Sequence, residues 1–322
     1  MSDGDGAEPT ILIGFGDAPS TVEAVRSLVD AGHRVVVFGR AGPRSRPHVP
    51  PLGVRIIRIT APERDAGRAL ADLVSVARAV RPAVVLPLDD VAVWLAGTAA
   101  GDLEAVVAGP TGPLLDLALD HRVQLAGAEL VGLAVPPTVT CRTRDDLLAL
   151  AGAPLLVRSA LAVHERDGRL VVPPVRVGAG RPALAAIAEG WDEDVPLLAQ
   201  SHVAGRVEEI AGVASAEGLG LWSAHRPSRV VAARRSGRGG GWSPVAPDAA
   251  AMAGCEALLG GAHWRGPFSL EFVRDAAGRL WFSRLAGRCT HRLALARRHG
   301  FEHPAAAVAE VLGASAARLA SR

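Results

Sequence analysis

The segment GPFSLEFVRDAAGRLWFSRLAGR, residues 266–288, contains two runs in which apolar and polar residues alternate. Alternation with a period of two is typical of β-strands that bury one face. Between the runs stands Asp275-Ala276-Ala277-Gly278, a combination that favours a tight turn. The segment therefore predicts a β-hairpin in which Glu271 on the first strand faces Arg284 on the second.

The first hundred residues follow another pattern, in which apolar runs alternate with segments of helical spacing. Three such runs are TILIGF at 10–15, VVVFG at 35–39 and AVVLPL at 83–88. Strands that alternate with helices predict a parallel, doubly wound sheet, which binds ligands at the carboxyl ends of its strands. Residues 14–17 and 89–90 are therefore expected on one rim of this sheet.

Two details of this rim leave alternatives open. Gly14-Phe15-Gly16 forms half of a dinucleotide-binding fingerprint, but Pro19 stands where its last glycine belongs, so a tight turn is the favoured interpretation. Asp89 and Asp90 could take part in function, or they could cap the helix that begins with DVAVWLAG.

The composition limits the kinds of partner. The chain has 322 residues, 49% of them hydrophobic, and a formal net charge of +2, so no strong field attracts nucleic acid or membrane surfaces. No apolar run reaches the roughly 18 residues of a membrane helix, and the polar N-terminus is unlike a signal peptide. We therefore expect a cytoplasmic protein.

The three cysteines of the chain lack C-x-x-C spacing. They predict neither a disulfide framework nor a zinc site.

Lysine, asparagine and tyrosine do not occur in the sequence. The chain has 35 arginines as its permanently charged basic residues. Arginine differs from lysine in shape, hydration and pKa, so it does not replace a compact ammonium group in a reaction. The sequence therefore excludes a lysine Schiff base, a lysine general base and a P-loop lysine.

Several segments in their order along the chain resemble one known superfamily. They are LDHRVQLAGAELVGLAVPPT (119–138), APLLVRSA (153–160), PLLAQSHVAG (196–205), AHRPSR (224–229), WRGPFSLEFVRDAAGRLW (264–281) and LAGRCTHRLALARRHGFEHP (285–304). As a set they resemble the ATP-grasp superfamily, especially its carboxylate–amine ligases. The resemblance implies an α/β and α+β chain with a Rossmann-like domain at 8–112 and two ATP-grasp subdomains at 113–205 and 206–322.

In that family, as the resemblance implies, ATP converts a carboxylate into an acyl phosphate that an amine then attacks. Lysines hold the phosphates, two acidic residues and an asparagine hold magnesium, and an arginine stabilises the developing charge. Here His121 stands at one lysine position, after Asp120, and Arg158 stands at the other. Gln200 matches a hinge position that contacts the nucleotide.

The two strands that carry the family's metal ligands differ more. Glu271 retains the first ligand, but Arg284 and Ala286 stand where the second glutamate and the asparagine belong. Arg288 matches the family's arginine. We therefore predict that Arg284 pairs with Glu271 and replaces the metal by an ion pair, so that no metal site remains and no cofactor is needed.

The cleft implied by the resemblance is lined by basic side chains. They are Arg158, His225, Arg226, Arg229, Arg284 and Arg288, with His121 and Gln200 beside them. Such a lining predicts a site for a carboxylate, phosphate or sulfate group; alternatively, the arginines pair with nearby acids. Catalytic candidates are Glu271, His225, Arg288 and His291, with a Cys289–His291 nucleophilic pair as an alternative. Trp242 is a candidate lid residue.

Three functions stay open at this stage. The first is a biosynthetic enzyme in the ATP-grasp shape that works on an acidic small molecule without ATP and magnesium. The second is a non-catalytic pseudo-ligase that binds a metabolite or a partner enzyme. The third is an active ATP-dependent ligase in which arginine replaces lysine. A homodimer is compatible with each of them.

Overall fold

The computed structural model describes residues 8–42, 53–227 and 242–313, which contain three main sheets. The first sheet has five parallel strands in the order β3-β2-β1-β4-β5. Its strands are β1 (Thr10–Gly14), β2 (Arg34–Arg40), β3 (Arg55–Ile59), β4 (Val84–Pro87) and β5 (Val106–Val107), and its helices are α1 (Thr21–Asp30), α2 (Ala66–Val80) and α3 (Asp90–Thr98). The predicted Rossmann-like sheet is confirmed.

The rim of this sheet shows how local chemistry builds it. Asp89 is the N-cap of α3, and its Oδ1 accepts a hydrogen bond of 2.7 Å from the backbone N–H of Ala92. A side chain on Gly14 would lie 2.5 Å from the ring of Phe38, so this glycine serves close packing within the turn. Capping by Asp89 is thus confirmed, although a cap does not exclude a further role.

The second sheet follows two helices and is antiparallel, in the order β10-β7-β11-β6. This part comprises α4 (Pro113–Leu119), α5 (His121–Leu130), β6 (Thr138–Cys141), α6 (Arg144–Ala149), β7 (Leu155–Ser159), β8 (His164–Arg166), β9 (Arg169–Val171), β10 (Arg176–Gly178), α7 (Gly180–Ala188) and β11 (Leu197–Ser201). Helices α6 and α7 cover one face, where Val157 and Leu197 pack against Leu147 and Leu184. The other face is directed at the third sheet.

Strands β8 and β9 form a separate hairpin that packs onto the first sheet. Its turn places Asp167 and Gly168 at φ of 50° and 73°. The backbone N–H of Ala66 donates to the Gly168 carbonyl at 2.7 Å, and Leu170 is buried in the core of the first sheet. The sequence Asp167-Gly168 indicates a turn with solvated neighbours, but His164, which precedes it, is buried and only 7% exposed.

The third sheet is antiparallel, in the order β14-β13-β12-β15-β16. Its elements are β12 (Gly205–Ser215), β13 (Gly218–Pro227), β14 (Trp242–Pro244), α8 (Ala249–Gly261), β15 (Gly266–Asp275) and β16 (Leu280–Ala286), followed by α9 (Leu293–Arg298) and α10 (His303–Val311). The predicted hairpin is confirmed as β15–β16, with a register shift between Glu271 and Phe272. Phe272 and Phe282 meet edge to face behind it, 6.1 Å apart between ring centroids.

The end of the described chain returns to the first sheet. Residues of α10, including Ala306 and Val308, share a core with Ile11 and Ile13 of β1. Helix α10 also contacts β12 and β15, so it lies between the first and third sheets. Within the described residues, no helix is long and apolar enough to span a membrane. The boundaries near 112 and 205 stay predictions.

Candidate functional site

A row of charged side chains crosses the third sheet. Glu209 on β12, Glu271 on β15 and Arg284 on β16 are aligned in register, so their side chains lie on one face. Arg284 donates from Nε to Oε2 of Glu271 at 3.1 Å and from Nη2 to Oε1 at 3.3 Å. The ion pair predicted from the sequence is confirmed.

This ion pair commits both oxygens of the glutamate. Burial alone would raise the pKa of Glu271, but the charge and hydrogen bonds of Arg284 outweigh it and lower that pKa. The charge of Glu271 in turn raises the pKa of Arg284. Glu271 is therefore an ionised carboxylate at neutral pH, and it is a weak general base.

Arg288 joins the third sheet to the rim of the first. It is buried, and its Nε donates to Oδ1 of Asp90 at 2.7 Å. Burial would raise the pKa of Asp90, but the charges of Arg288 and Arg284 lower it to about 2. The neighbouring Gly287 permits this approach, because a side chain there would lie 2.6 Å from Pro110.

A third arginine–carboxylate pair lies beside these two. Glu209 is buried and accepts hydrogen bonds from Ser269 at 2.5 Å and Thr290 at 2.7 Å, while Nη1 of Arg292 lies 3.2 Å from its Oε2. The Arg292 guanidinium stacks on Trp242, 3.3 Å from the ring centroid. Trp242 therefore covers an internal ion pair, and its expected role as a lid stays a prediction.

Arg158 differs from these arginines because it forms no ion pair with a carboxylate in the described part of the chain. It lies in register with Leu198, which packs into the core shared with the third sheet, so Arg158 lies on the face of the second sheet that is directed at the third sheet. The side chain is 5% exposed, and Nε and Nη2 have no hydrogen-bond partner among the described residues. Burial, followed by the charge of Arg284, lowers the pKa of Arg158 to about 10, so it stays a cation at pH 7.

His121 and Gln124 form the floor beside Arg158. Burial and the charge of Arg158 lower the pKa of His121 to about 4, so the imidazole is neutral at pH 7. Its Nδ1 lies 3.3 Å from Oε1 of Gln124. The Gln124 amide also bonds the backbone carbonyl and N–H of Leu285, at 2.8 and 3.0 Å. These bonds hold α5 against β16.

Other predicted site residues lie apart from this cluster. His225 shares the row of Glu209 but is 0% exposed, and burial together with Arg292 lowers its pKa to about 4. Arg226 follows it on β13, is exposed and therefore points to the opposite face. Gln200 is buried and donates to Thr138 at 2.9 Å. The remaining candidate, Arg229, lies outside the described residues.

The cleft opens between the rim of the first sheet and the segment after β16, with a volume of about 470 Å³. Its charged and titratable lining consists of Asp17, Arg40, Glu63, Asp89, Asp90, Arg288 and His291. Arg40 pairs with three of these acids at 2.7–3.1 Å, and His291 is exposed to the cleft. Here four carboxylates face two guanidinium groups, so this part of the cleft is more acidic than the arginine-rich lining predicted from the sequence.

The Cys289 thiol, which the sequence offered as an alternative nucleophile, is inaccessible and protonated. Cys289 is 1% exposed, and burial raises its pKa to about 12. A thiol that stays protonated and is sealed from solvent is a poor nucleophile. The alternative of a Cys289–His291 pair is therefore disfavoured.

At the hairpin position where the resemblance implies a magnesium site, the residues do not fit this ion. Both oxygens of Glu271 accept hydrogen bonds from Arg284, whose fixed positive charge lies where a cation would need to lie. Within the described ranges, no group of three or more His, Cys, Asp or Glu side chains is placed to hold a metal ion. The buried Arg158 could still donate hydrogen bonds to a phosphate or carboxylate oxygen.

Sequence reasoning missed Glu209, Arg292 and Arg40 as parts of this site. Glu209 carried a usable signal, because it is a charged residue directly before the apolar run IAGVA of a strand. Arg292 and Arg40 carried none, since arginine is frequent throughout this chain and their partners lie far away in sequence.

No protein-family model matches the chain, and no curated protein matches it significantly in sequence. Solved structures do match it. An L-amino acid ligase from Bacillus licheniformis is 17% identical, with a TM-score of 0.61 over 87% of this chain and 67% of that one. An N5-carboxyaminoimidazole synthetase from Staphylococcus aureus, complexed with ADP, is 15% identical, with a TM-score of 0.63 over 95% and 78%.

A third similar structure is the biotin carboxylase domain of the Hydrogenobacter thermophilus 2-oxoglutarate carboxylase, complexed with MgADP and bicarbonate. It is 11% identical, with a TM-score of 0.70 over 95% of this chain and 70% of that one. Together these similarities confirm the predicted ATP-grasp fold.

Proposed function

We propose that this chain is a cytoplasmic ATP-grasp-fold enzyme that acts on an acidic small molecule without ATP or magnesium. Arg158 binds the acidic group of that molecule, and the rest of the ligand extends into the cleft beside Asp90 and His291. The chemistry belongs to a biosynthetic pathway, and the former metal position serves as a structural ion pair.

One observation carries this proposal: among the residues that the structure describes, Nε and Nη2 of the buried Arg158 have no hydrogen-bond partner, whereas Arg284, Arg288 and Arg292 each meet a carboxylate. An unpaired buried charge is costly, so such a group is retained where a ligand completes it. The neutral His121 beside Arg158 adds a hydrogen-bonding group and no charge. This arrangement suits a ligand with one anionic group.

The proposed mechanism does not use magnesium, because the positive charge of Arg284 opposes the binding of a cation beside Glu271. A divalent cation about 4 Å from this guanidinium would be repelled by about 4 kcal/mol per unit charge at an effective dielectric of 20. Binding would also have to break two hydrogen bonds to Glu271. We therefore assign Glu271 to holding Arg284 in place.

Proton transfer is assigned to His291, because its imidazole is exposed to the cleft. Desolvation by the cleft walls, followed by the charge of Arg288, lowers the pKa of His291 to about 3, so its imidazole is neutral at pH 7 and has a free lone pair for a proton, but it is a weak base. Arg288 is buried and paired with Asp90, and we assign it to orienting this wall.

A second candidate is nucleotide binding without turnover, as in a pseudo-ligase. It is favoured by the ADP and MgADP in two of the structures that share the fold, and by a free cation at the position of a phosphate-binding lysine. In that case Arg158 would hold a phosphate of ADP, and added magnesium would not strengthen binding.

The experiment is a thermal-unfolding titration in EDTA with malonate, inorganic phosphate and ADP. A ligand that binds the native state raises the midpoint. We expect malonate or phosphate to raise it in wild type and in Arg226→Met, and to have no effect in Arg158→Met. Equal shifts in all three proteins would remove Arg158 from the site. A midpoint that rises with ADP but with neither malonate nor phosphate favours the second candidate.

Turnover is tested separately. Wild type is incubated with a panel of metabolic acids, and NMR follows whether any of them is converted.

A further inference from the structure

A second pocket lies on the helix-covered side of the second sheet, away from the cleft. It is enclosed by β7, β11, the end of α7 and the β8–β9 hairpin, with a volume of about 100 Å³. Its walls are mainly apolar and include Val157, Val171, Ile187, Trp191, Val195 and Leu197. This is about two thirds of the roughly 150 Å³ cavity that admits benzene, so it suits a compact body of about four carbon atoms.

His164 lines this pocket and lacks partners. It is 7% exposed, and neither ring nitrogen has a hydrogen-bond partner among the described residues. The nearest acid, Asp192, lies 4.0 Å from Nε2 and is already engaged by Arg166 at 3.2 Å. Burial lowers the pKa of His164, so the imidazole is neutral at pH 7 and offers one donor and one acceptor. A buried imidazole in this state requires a hydrogen-bonding partner.

The pocket also has one free cation at its mouth. Arg176 on β10 lines the opening, is exposed, and forms no ion pair with any residue in the described part of the chain. The other arginine of the lining, Arg166, is occupied by Asp192. A ligand that enters this pocket therefore contacts apolar walls and the neutral imidazole of His164. The guanidinium of Arg176 lies at the opening.

We propose that this pocket binds a small monocarboxylate with a compact, branched apolar body. The apolar body fills the space against Trp191 and Ile187, a carboxylate oxygen accepts a hydrogen bond from the N–H of His164, and the guanidinium of Arg176 balances the charge. This site is separate from Arg158 and the cleft, so it goes beyond the proposed function. It would let the protein sense or store a short-chain acid on the outer face of the second sheet.

The test is calorimetric titration of the 322-residue chain with isovalerate. It is run in the Arg158→Met background, so that binding in the cleft does not contribute. We expect saturable binding with one site per chain, the same Kd in Arg181→Gln, and a Kd at least tenfold higher in Arg176→Gln and in His164→Leu. Arg181 is an exposed arginine on α7 and does not line the pocket. The neutral isostere 3-methyl-1-butanol should bind at least tenfold more weakly.

Each result decides the proposal. Absence of saturable isovalerate binding, or an unchanged Kd in both Arg176→Gln and His164→Leu, would overturn it. Circular dichroism and the unfolding midpoint establish that both variants are folded; His164→Leu should fold because it replaces an unpartnered polar group by an apolar one of similar size. If Arg158→Met alone abolishes isovalerate binding, the ligand belongs to the cleft and this pocket is excluded.

Discussion

Arginine acts in two opposite ways in this protein, according to whether a carboxylate meets it. Arg288 is buried against Asp90, whereas Arg158 is buried with two nitrogens that have no hydrogen-bond partner within residues 8–42, 53–227 and 242–313. Removing one partner of a buried ion pair leaves an uncompensated charge, but removing an unpaired buried charge relieves a desolvation cost. The two residues should therefore respond differently to the same substitution.

Methionine at each position tests this contrast, since it retains much of the apolar stem. We expect Arg158→Met to raise the free energy of unfolding by about 1–3 kcal/mol. We expect Arg288→Met to lower it by about 3–5 kcal/mol, because Asp90 is left without its partner. Urea unfolding at pH 7 measures both. A loss of stability in Arg158→Met as large as that in Arg288→Met would show that Arg158 is structural.

The depressed pKa of Asp90 predicts a pH dependence. A carboxylate with a folded pKa of about 2 stabilises the native state above its unfolded pKa of about 3.9, and the contribution is lost as the pH falls through 2. The stability difference between wild type and Asp90→Asn should therefore shrink by about 2 kcal/mol between pH 5 and pH 2. A difference that stays constant or grows on acidification would contradict the assignment. Denaturant unfolding across this pH range provides the measurement.

At the scale of elements, the β15–β16 hairpin was predictable because its determinants are local. Alternation, the turn at residues 275–278 and the facing of Glu271 with Arg284 all follow from sequence neighbours. The register shift after Glu271 had no sequence signal. Neither had the ion pair of Glu209 with Arg292, whose two members are brought together only by the assembled sheet.

The hairpin also permits a test by reversal. Arg284→Glu combined with Ala286→Asn introduces the ligand pattern that the resemblance implies and places the carboxylates of residues 271 and 284 and the amide of residue 286 on one face. We expect this double variant to bind Mn²⁺, followed by electron paramagnetic resonance, whereas wild type should not. Arg284→Gln serves as the control, because it removes the cation without adding a ligand. Equal Mn²⁺ binding by wild type and the double variant would contradict the account of this strand.

At the scale of the whole molecule, the alternation of strands and helices predicted the first sheet, and the order of segments predicted the fold. The packing of the β8–β9 hairpin onto the first sheet was not predictable, because it joins Gly168 to Ala66 across about a hundred residues. The same reason hid the burial of His225, which depends on elements that lie later in the chain. Long-range packing therefore decides which predicted site residues reach the cleft.

The docking of that hairpin has its own test. Leu170 is buried in the core of the first sheet, so Leu170→Ala should lower the free energy of unfolding by about 2–4 kcal/mol. Val172, two residues further on, is exposed and provides a matched control, in which the change to alanine should cost less than about 0.5 kcal/mol. Similar effects at both positions in urea unfolding would mean that the hairpin is not anchored.

The chain has the ATP-grasp fold, and the central proposal is that Arg284 occupies the position where the resemblance implies a magnesium ion. Calorimetric titration of wild type with ATP, once with excess Mg²⁺ and once with EDTA, tests it most directly. The account predicts that magnesium does not strengthen ATP binding, whether the nucleotide binds weakly through Arg158 or not at all. Binding that is tenfold or more tighter with Mg²⁺ than with EDTA would contradict it.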